Sequence, residues 1–264
     1  MKFNPTVLVA VFSAILVSSA VNGACISKSK TNATASSIAK SSSEIPEPTS
    51  SAIEGSTDSG KDTTTSTESG LITIEQLDKA NPDASEASFC TSVSADECMV
   101  NADAVAYLNK AVEKYKFTRR GETVAVISNM LFESGGWMYN INHSANTPGQ
   151  GTRCMMMWNF ISEYAKELHP DEYANLMGSS ASSADSASDT VRNDVRELVL
   201  NPEDSFASGF WFLVNKAAGF HDDDMKLRDG NLEDFKAYVE TGIYTSWDSN
   251  REKWWQLVND NIMI

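Results

Sequence analysis

The stretch that decides the fold is ETVAVISNMLFESGG, residues 122–136. Its apolar side chains between Glu122 and Glu133 are spread over nearly every side of a helix instead of one face. A helix that is apolar all round belongs in the interior of a protein, so we expect a buried central helix over these residues. Gly135 and Gly136 follow at once and end this helix, because glycine is the common residue just after a helix C-terminus.

Helical spacing of apolar residues continues through most of the chain after residue 98. It predicts further helices at about Asp103–Phe117, Phe160–Leu168, Val191–Val199, Pro202–Val214, Leu232–Gly242 and from Ser249 onward. Two of these helices start with a capping signal, namely Asn201-Pro202 and a Ser249-x-x-Glu252 capping box. The stretch from Gly135 to Arg153 loses this spacing, and we expect a long loop or a small hairpin there. The predicted fold is mainly helical, either all-α or α+β.

The aromatic residues are unevenly distributed along the 264-residue chain. Residues 26–88 contain no Phe, Trp or Tyr, so residues 89–264 are predicted to form one core and one domain of ordinary size. Residues 27–69 contain 21 Ser and Thr in 43 positions. Such a segment buries too little apolar surface to fold. We therefore expect residues 25–88 to be a disordered stalk, either O-glycosylated or serving as a plain spacer or cleaved pro-segment.

Residues 1–24 have the pattern of a secretory signal peptide. Lys2 is followed by an apolar run over Val7–Val17 and then by small residues. The run is about 11 residues long, whereas a helix needs roughly 20 to span a bilayer. We therefore expect a secreted protein, extracellular or associated with a cell wall, and not bound to a membrane once the signal is removed. The sequence leaves three cleavage sites open, after Ala20, Gly23 or Ala24.

Four cysteines in a secreted chain suggest disulfides. Cys90 and Cys98 enclose a short loop before the first predicted helix and are the expected pair. Cys25 and Cys154 could bridge the stalk to the domain, or Cys25 could leave with the signal. The predicted N-glycosylation sites, both in Asn-x-Ser/Thr sequences, are Asn32 and Asn142.

The negative charge of the chain limits its partners. The formal net charge is −15, and residues 89–264 carry 15 Lys and Arg against 26 Asp and Glu. A nucleic-acid backbone needs a basic face, so nucleic-acid binding is excluded, and an anionic polymer is disfavoured for the same reason. The acidic run His221–Asp224 departs from a calcium loop, because Lys226 stands at a ligand position and the required glycine is missing. No metal site and no cofactor are predicted.

Glu133 is the candidate for acid–base chemistry. It closes the central helix, where the negative end of the helix dipole and apolar neighbours both disfavour a charged carboxylate. We therefore expect its pKa to be raised, as a general acid working near neutral pH requires. The residues that follow supply stacking and hydrogen-bonding groups suited to a sugar chain, namely Ser134, Trp137, Tyr139, Asn142, His143, Gln150 and Arg153.

Several of these residues also have a structural interpretation. Glu133 could instead bind the start of the following loop, and Trp137 and Tyr139 could pack within that loop. Arg153 could form an ion pair with a carboxylate. The run Met155–Met157 is interpreted as core filling, since methionine adapts to irregular gaps.

Three segments of the chain resemble the lysozyme-like superfamily, which includes goose-type lysozymes, lytic transglycosylases, and plant-type chitinases and chitosanases. They are Phe132–Gly136, Pro148–Arg153 and Ser205–Leu213, and in this order they look most like a set of secreted fungal lysozyme-like proteins. The resemblance extends from about residue 90 to the C-terminus. It implies a single lysozyme-like domain, with a central buried helix followed by a long loop or small hairpin. It also implies that Glu133 protonates the glycosidic oxygen.

The chain departs from that superfamily in two places. Lytic transglycosylases carry a Gly-Leu-Met-Gln element after the loop, where this chain has Cys154–Met157. Hydrolysing members with two carboxylates need a second one across the cleft, yet no Asp or Glu occurs between Ser134 and Ser162. The mechanism therefore either uses a single acid or has a partner that is distant in sequence.

These observations together predict a secreted, monomeric glycoside hydrolase that cleaves an amino-sugar polymer. The acidic domain favours a neutral chitin-like or cationic chitosan-like chain over an anionic polymer, because opposite charges steer binding. One alternative is a non-catalytic cell-wall-associated or host-interaction glycoprotein that keeps the fold. Another is a bacteriolytic enzyme that cleaves peptidoglycan.

Overall fold

The central helix, α3, spans Arg120–Ser134, and 12 of its 15 residues are buried. It ends at Gly135, whose φ of 62° lies in the left-handed region that glycine adopts without strain. The structure is a computed structural model, and it describes residues 71–143, 147–178, 183–221, 226–227 and 230–264.

Eight further α-helices occur among the described residues. They are α1 (Ile74–Ala80), α2 (Asn101–Lys114), α4 (Trp158–Leu168), α5 (Pro170–Met177), α6 (Asp189–Glu197), α7 (Pro202–Lys216), α8 (Leu232–Ala237) and α9 (Ser249–Asn261). Short 3₁₀ helices cover Pro82–Ser85, Ala87–Ser92, Ala184–Ser186 and Ala218–Phe220. No strand occurs among the described residues, which confirms the mainly helical prediction.

Two helices lie against the central helix and build the core around it. The helix α7 approaches α3 closely, because a Cβ added at Gly209 would come within 2.6 Å of the Met130 sulfur. The helix α9 packs along α3 as well and buries Arg251, Trp255 and Val258, which are spaced on one helical face. This second contact brings the last helix of the chain to the C-terminal end of α3.

The capping predictions have different outcomes. The side chain of Asn201 accepts a hydrogen bond from the Asp204 amide at 3.0 Å, so α7 begins as its sequence predicted. The predicted capping box of the last helix is wrong, because Asp248 is the N-cap residue of α9 and its carboxylate accepts from the Asn250 amide at 2.6 Å. An aspartate one residue earlier supplies the same acceptor that serine would have supplied.

The domain begins before the predicted boundary at residue 89. Within α1, Leu77 and Ala80 are fully buried, and Thr73 caps the helix with a capping box to Gln76. The absence of aromatic residues misled the prediction, because here small aliphatic side chains fill the core instead. The predicted stalk therefore ends no later than residue 70. The predicted signal peptide, the rest of the stalk, Cys25 and Asn32 lie outside the described residues.

The described residues between α3 and α4 form irregular structure, as the loss of helical spacing predicted. Instead of a hairpin, two isolated bridges join Ile141 to Gly151 and Gly151 to Met156.

The predicted disulfide between Cys90 and Cys98 is present. The predicted helix over Leu232–Gly242 is divided, since α8 passes into a π-helical turn over Tyr238–Gly242. None of the described helices combines the length and the apolar character needed to cross a membrane.

Candidate functional site

Glu133 lies in the last turn of α3, where it lines a cavity of about 270 Å³. Its side chain is 22% exposed, so the carboxylate lies near the surface of the core and not in its centre. The position follows from the local sequence, since the apolar residues up to Leu131 are buried and Gly135 ends the helix two residues after Glu133. The cavity is also lined by Gln150, Cys154, Met155, Met156, Met157, Phe160, Phe212, Ile243, Tyr244 and Thr245.

Arg251 on α9 is the ionic partner of Glu133. Its Nη2 donates to Glu133 Oε1 at 2.7 Å, and its Nη1 donates to Asn129 Oδ1 at the same distance. The guanidinium also lies over the Phe132 ring, with 3.9 Å between its central carbon and the ring centroid. Arg251 is 4% exposed, so three contacts hold a buried cation at one oxygen of the carboxylate. Among the described residues, none hydrogen-bonds the other oxygen, Oε2.

The pKa of Glu133 is raised above its ordinary value. Burial is the main cause, because removal from water disfavours the charged form, and the charge and hydrogen bond of Arg251 oppose it. The direction agrees with the sequence-based expectation. Sequence reasoning did not find Arg251, which lies 118 residues away, although one signal was available. An arginine four residues before Trp255 occupies the apolar face of an amphipathic helix, where a cation needs a partner.

The sulfur-containing side chains that line the cavity, those of Cys154 and Met155–Met157, are only partly buried in the core. Met156 is 3% exposed, in agreement with the core-filling interpretation, whereas Met157 is 48% exposed at the rim of the cavity. Cys154 is a free cysteine whose sulfur accepts a hydrogen bond from Asn129 at 3.8 Å. Burial, with a contribution from the charge of Glu133, raises the pKa of the Cys154 thiol to about 12. The sulfur is therefore a thiol at neutral pH and a poor nucleophile.

Tyr244 is an exposed aromatic residue in the cavity lining, and sequence reasoning missed it. Its side chain is 81% exposed, and its φ of 61° is in the left-handed region. Backbone hydrogen bonds fix the residues on either side, from Ile243 N to Tyr238 O at 2.8 Å and from Thr245 N to Val239 O at 3.1 Å. The sequence signal available for this position was weak, because Tyr244 and Trp247 both lie in the short connection between helices and nothing local distinguishes them.

Two of the predicted substrate-binding residues belong to the core in this structure. Ser134 is fully buried, donates to Met130 O at 2.7 Å and accepts from the Trp137 amide at 3.0 Å. Trp137 is also fully buried, and its Nε1 donates to Asn101 Oδ1 at 3.2 Å while its ring packs on Phe206. Neither side chain offers a surface to a ligand, so Trp137 follows the alternative packing interpretation.

Arg153 organises the loop between α3 and α4. It is 3% exposed, and its Nη1 donates to the carbonyls of Trp137 and Tyr139 at 2.8 and 2.9 Å. Its Nη2 donates to the carbonyl of Glu97 at 2.5 Å. Burial lowers the pKa of Arg153 to about 10, so the side chain stays charged at neutral pH. Both expected roles of Arg153, a substrate contact and a side-chain ion pair, are replaced by bonds to backbone carbonyls.

Of the remaining predicted residues, Gln150 shares the cavity with Glu133. Gln150 Nε2 donates to Met155 O at 3.0 Å, and its Oε1 accepts from Asn142 Nδ2 at 2.5 Å. His143 is elsewhere: its Nε2 lies 2.7 Å from Glu97 Oε2, and its ring packs on Tyr139. The structure therefore joins Gln150, and Asn142 behind it, to the site of Glu133. Glycosylation of Asn142 stays a prediction.

Glu133 is the only carboxylate in the described lining of this cavity. The second carboxylate that the sequence left open is therefore not found there among the described residues. Within the same part of the chain, no group of three or more His, Cys, Asp or Glu side chains is arranged to hold a metal ion.

The comparisons with known proteins give one partial similarity. The chain is 33% identical over 122 residues to a bifunctional dioxygenase–epoxy alcohol synthase of Fusarium oxysporum (strain Fo5176). The similar segment covers 46% of this chain and 8% of that protein, so the chain spans less than a tenth of its relative's length. No protein-family model matches the chain. No solved structure matches it either.

Proposed function

We propose that this chain is a secreted glycoside hydrolase of lysozyme-like type that cleaves an amino-sugar polymer, with Glu133 as the general acid. The observation that carries the proposal is the placement of Glu133 on a cavity, with a raised pKa and with one carboxylate oxygen left unbonded by described residues. A general acid needs a proton at working pH and an open path to its substrate. The lysozyme-like fold rests on the three sequence segments and is consistent with the buried central helix.

The proposed chemistry uses the two oxygens of Glu133 differently. Oε1 accepts the hydrogen bond from Arg251, so the proton is carried on Oε2. Transfer of that proton to the glycosidic oxygen lets the bond between this oxygen and the anomeric carbon break, and the bonding electrons stay with the leaving oxygen. Glu133 becomes a carboxylate, which the charge of Arg251 then stabilises. The developing positive charge on the sugar is taken up by attack of water or of a group within the substrate, and the proton that water releases restores the acid form of Glu133.

The substrate preference follows from charge. With 15 basic against 26 acidic residues in the C-terminal 176 positions, the protein repels anionic polymers and admits neutral chitin-like or cationic chitosan-like chains. Secretion and a location outside the cell or in the cell wall are part of this proposal, since they rest on residues 1–24. The activities of the Fusarium protein are not part of it, because the shared segment is 8% of that protein's length.

Replacement of Glu133 by glutamine tests the proposal. Glutamine keeps an acceptor for Arg251 but has no acidic proton, so turnover of chitin oligomers should fall by about 10²–10⁴-fold. The matched control is Glu172→Gln, which changes an exposed glutamate on α5 and should leave turnover unchanged. Both variants and the unmodified protein are assayed on chitin oligomers, chitosan and bacterial cell wall. Equal turnover by the Glu133→Gln variant and the unmodified protein would remove Glu133 from the mechanism.

A second candidate function is binding of wall polysaccharide without cleavage. The ion pair with Arg251 favours the carboxylate form of Glu133, and the described cavity lining holds no second carboxylate. A pull-down on insoluble chitin or glucan beside the activity assay separates the two functions. Retention on the polymer without release of product would favour binding. A turbidity assay on bacterial cells tests the bacteriolytic alternative.

A further inference from the structure

The cavity beside Glu133 has an apolar rim that is open to solvent. Two of its lining side chains, Tyr244 at 81% and Met157 at 48%, are among the most exposed large apolar residues that the structure describes. Apolar residues exposed singly on a surface need no explanation, whereas exposed apolar residues that line one cavity are candidates for a ligand-binding surface. Both side chains line the same cavity as Glu133, so the rim is a candidate ligand-binding surface next to the proposed acid.

The backbone of Tyr244 does not explain why a tyrosine occupies this position. A φ of 61° is unfavourable for any residue with a Cβ, and it is usually left to glycine or asparagine. The hydrogen bonds of Ile243 and Thr245 hold the turn in place, and the turn directly follows the π-helical residues Tyr238–Gly242. Strained residues and π-helical turns both occur preferentially at functional sites.

Packing does not explain the tyrosine either. With 81% of its side chain exposed, Tyr244 contributes little buried area to the core. It makes no ring–ring contact with another described aromatic side chain, in contrast to buried Tyr164, which packs on Trp211. The residue is thus conformationally unfavourable, nearly uncovered, and fixed at the mouth of the cavity.

We propose that Tyr244 is the residue on which the saccharide stacks when its glycosidic bond reaches Glu133. This inference rests on the proposed function and deepens it. The apolar face of a pyranose ring packs on an aromatic face, while the tyrosine hydroxyl keeps a polar tip in water. Met157, which lines the same cavity, is a second exposed apolar side chain there. Tyr244 thereby takes the role that the sequence assigned to Trp137.

The size of the cavity limits how much of a saccharide it can hold. A volume of about 270 Å³ lies just below the roughly 300–1,000 Å³ of typical small-molecule sites, so the cavity accepts one small unit and not a long chain. The neighbouring sugar units must then lie across the exterior of the cavity, where Tyr244 and Met157 are exposed. An aromatic residue at this edge fixes which glycosidic bond of the bound saccharide lies at Glu133.

Binding of an N-acetylglucosamine hexamer to the full chain, measured by calorimetry, tests the proposal. Tyr244→Ala should weaken binding by about three- to tenfold, the range expected for loss of one aromatic contact. Tyr244→Phe should bind within about twofold of the unmodified protein, because the ring is kept. The matched control, Leu71→Ala, removes another exposed apolar side chain and should leave binding unchanged. Alanine is no more strained at φ 61° than tyrosine, and melting curves show that each variant is folded.

The outcomes separate this inference from the proposed function. Unchanged binding by Tyr244→Ala, equal losses in the alanine and phenylalanine variants, or no binding of the hexamer by the unmodified protein would each overturn the stacking role. Glu133→Gln, measured in parallel, reports on the acid. Binding that depends on Tyr244 in a protein that cleaves nothing would support the platform and refute Glu133 as a catalyst. Cleavage that depends on Glu133 but not on Tyr244 would support Glu133 as the acid and refute the stacking role of Tyr244.

Discussion

Replacement of Arg251 by methionine tests whether this arginine sets the charge state of Glu133. Methionine keeps an apolar stem but removes the guanidinium that donates to Glu133 and Asn129 and covers Phe132. Burial then acts on Glu133 without opposition, so the pKa of its carboxyl rises further above the ordinary value. The change affects both the stability of the protein and the dependence of that stability on pH.

The expected loss is about 3 kcal/mol in the free energy of unfolding at neutral pH, since two acceptors keep their places but lose a buried donor. For a domain of this size, the melting temperature falls by about 6–12 °C. A carboxyl with a higher pKa in the folded than in the unfolded state stabilises the fold at low pH, and this stabilisation is lost as the pH rises through the folded pKa. Because Arg251→Met raises the pKa of Glu133 further, its penalty should increase from about pH 4 to pH 7.

Urea unfolding of both proteins at three pH values across this interval measures the penalty. The control is Arg251→Met in a Glu133→Gln background, where position 133 binds no proton and the penalty should be independent of pH. A penalty that is constant with pH in both backgrounds, or that is larger at low pH, would refute the assignment of Arg251 as the counter-cation of Glu133.

Two further predictions concern the surroundings of the site. Arg153→Met removes the donor to three backbone carbonyls. It should lower the free energy of unfolding by about 3 kcal/mol and speed proteolysis of the α3–α4 connection. The control, Lys166→Met at an exposed position, should change neither quantity. Limited proteolysis with mass spectrometry measures this, and equal cleavage of both variants would contradict it. Because the pKa of Cys154 is about 12, its alkylation by iodoacetamide at pH 8 should be about 10³-fold slower than that of a free thiol. Peptide mass spectrometry follows this reaction, and labelling at the rate of an unfolded control would show that the sulfur is not buried.

Local sequence information was sufficient for most of the helices, although α1 and α5 were not predicted and the predicted helix over Leu232–Gly242 is divided. The apolar run before Glu133, the two glycines after it and the capping residue Asn201 act over a few residues, and the structure forms these elements where the patterns place them. The N-terminal boundary was wrong because the prediction used aromatic residues as the marker of the core. Leu77 and Ala80 fill their part of the core without any aromatic ring.

The candidate site depended on contacts that no local pattern contains. Glu133 could be singled out from its own helix, but Arg251 reaches it from a position 118 residues later. The choice between platform and core for Trp137 depends on whether Asn101 and Phe206 surround it, and both come from other helices. Residues that hold a loop together and residues that bind a sugar are of the same types, because both roles use hydrogen bonds and aromatic ring faces. The residue types alone therefore do not distinguish the two roles.

An arginine next to a proposed acid would ordinarily count against proton donation, because a neighbouring cation favours the carboxylate. The geometry limits this effect to one oxygen. Asn129 engages Nη1 of Arg251, so only Nη2 reaches Glu133, and the contact is not the two-pronged pair that would occupy both carboxylate oxygens. Burial meanwhile raises the pKa, and the cation lowers the cost of the carboxylate that remains after proton transfer. The hydrogen bond to Asn129 therefore occupies the second terminal nitrogen of the guanidinium, and one oxygen of Glu133 has no bond to the cation.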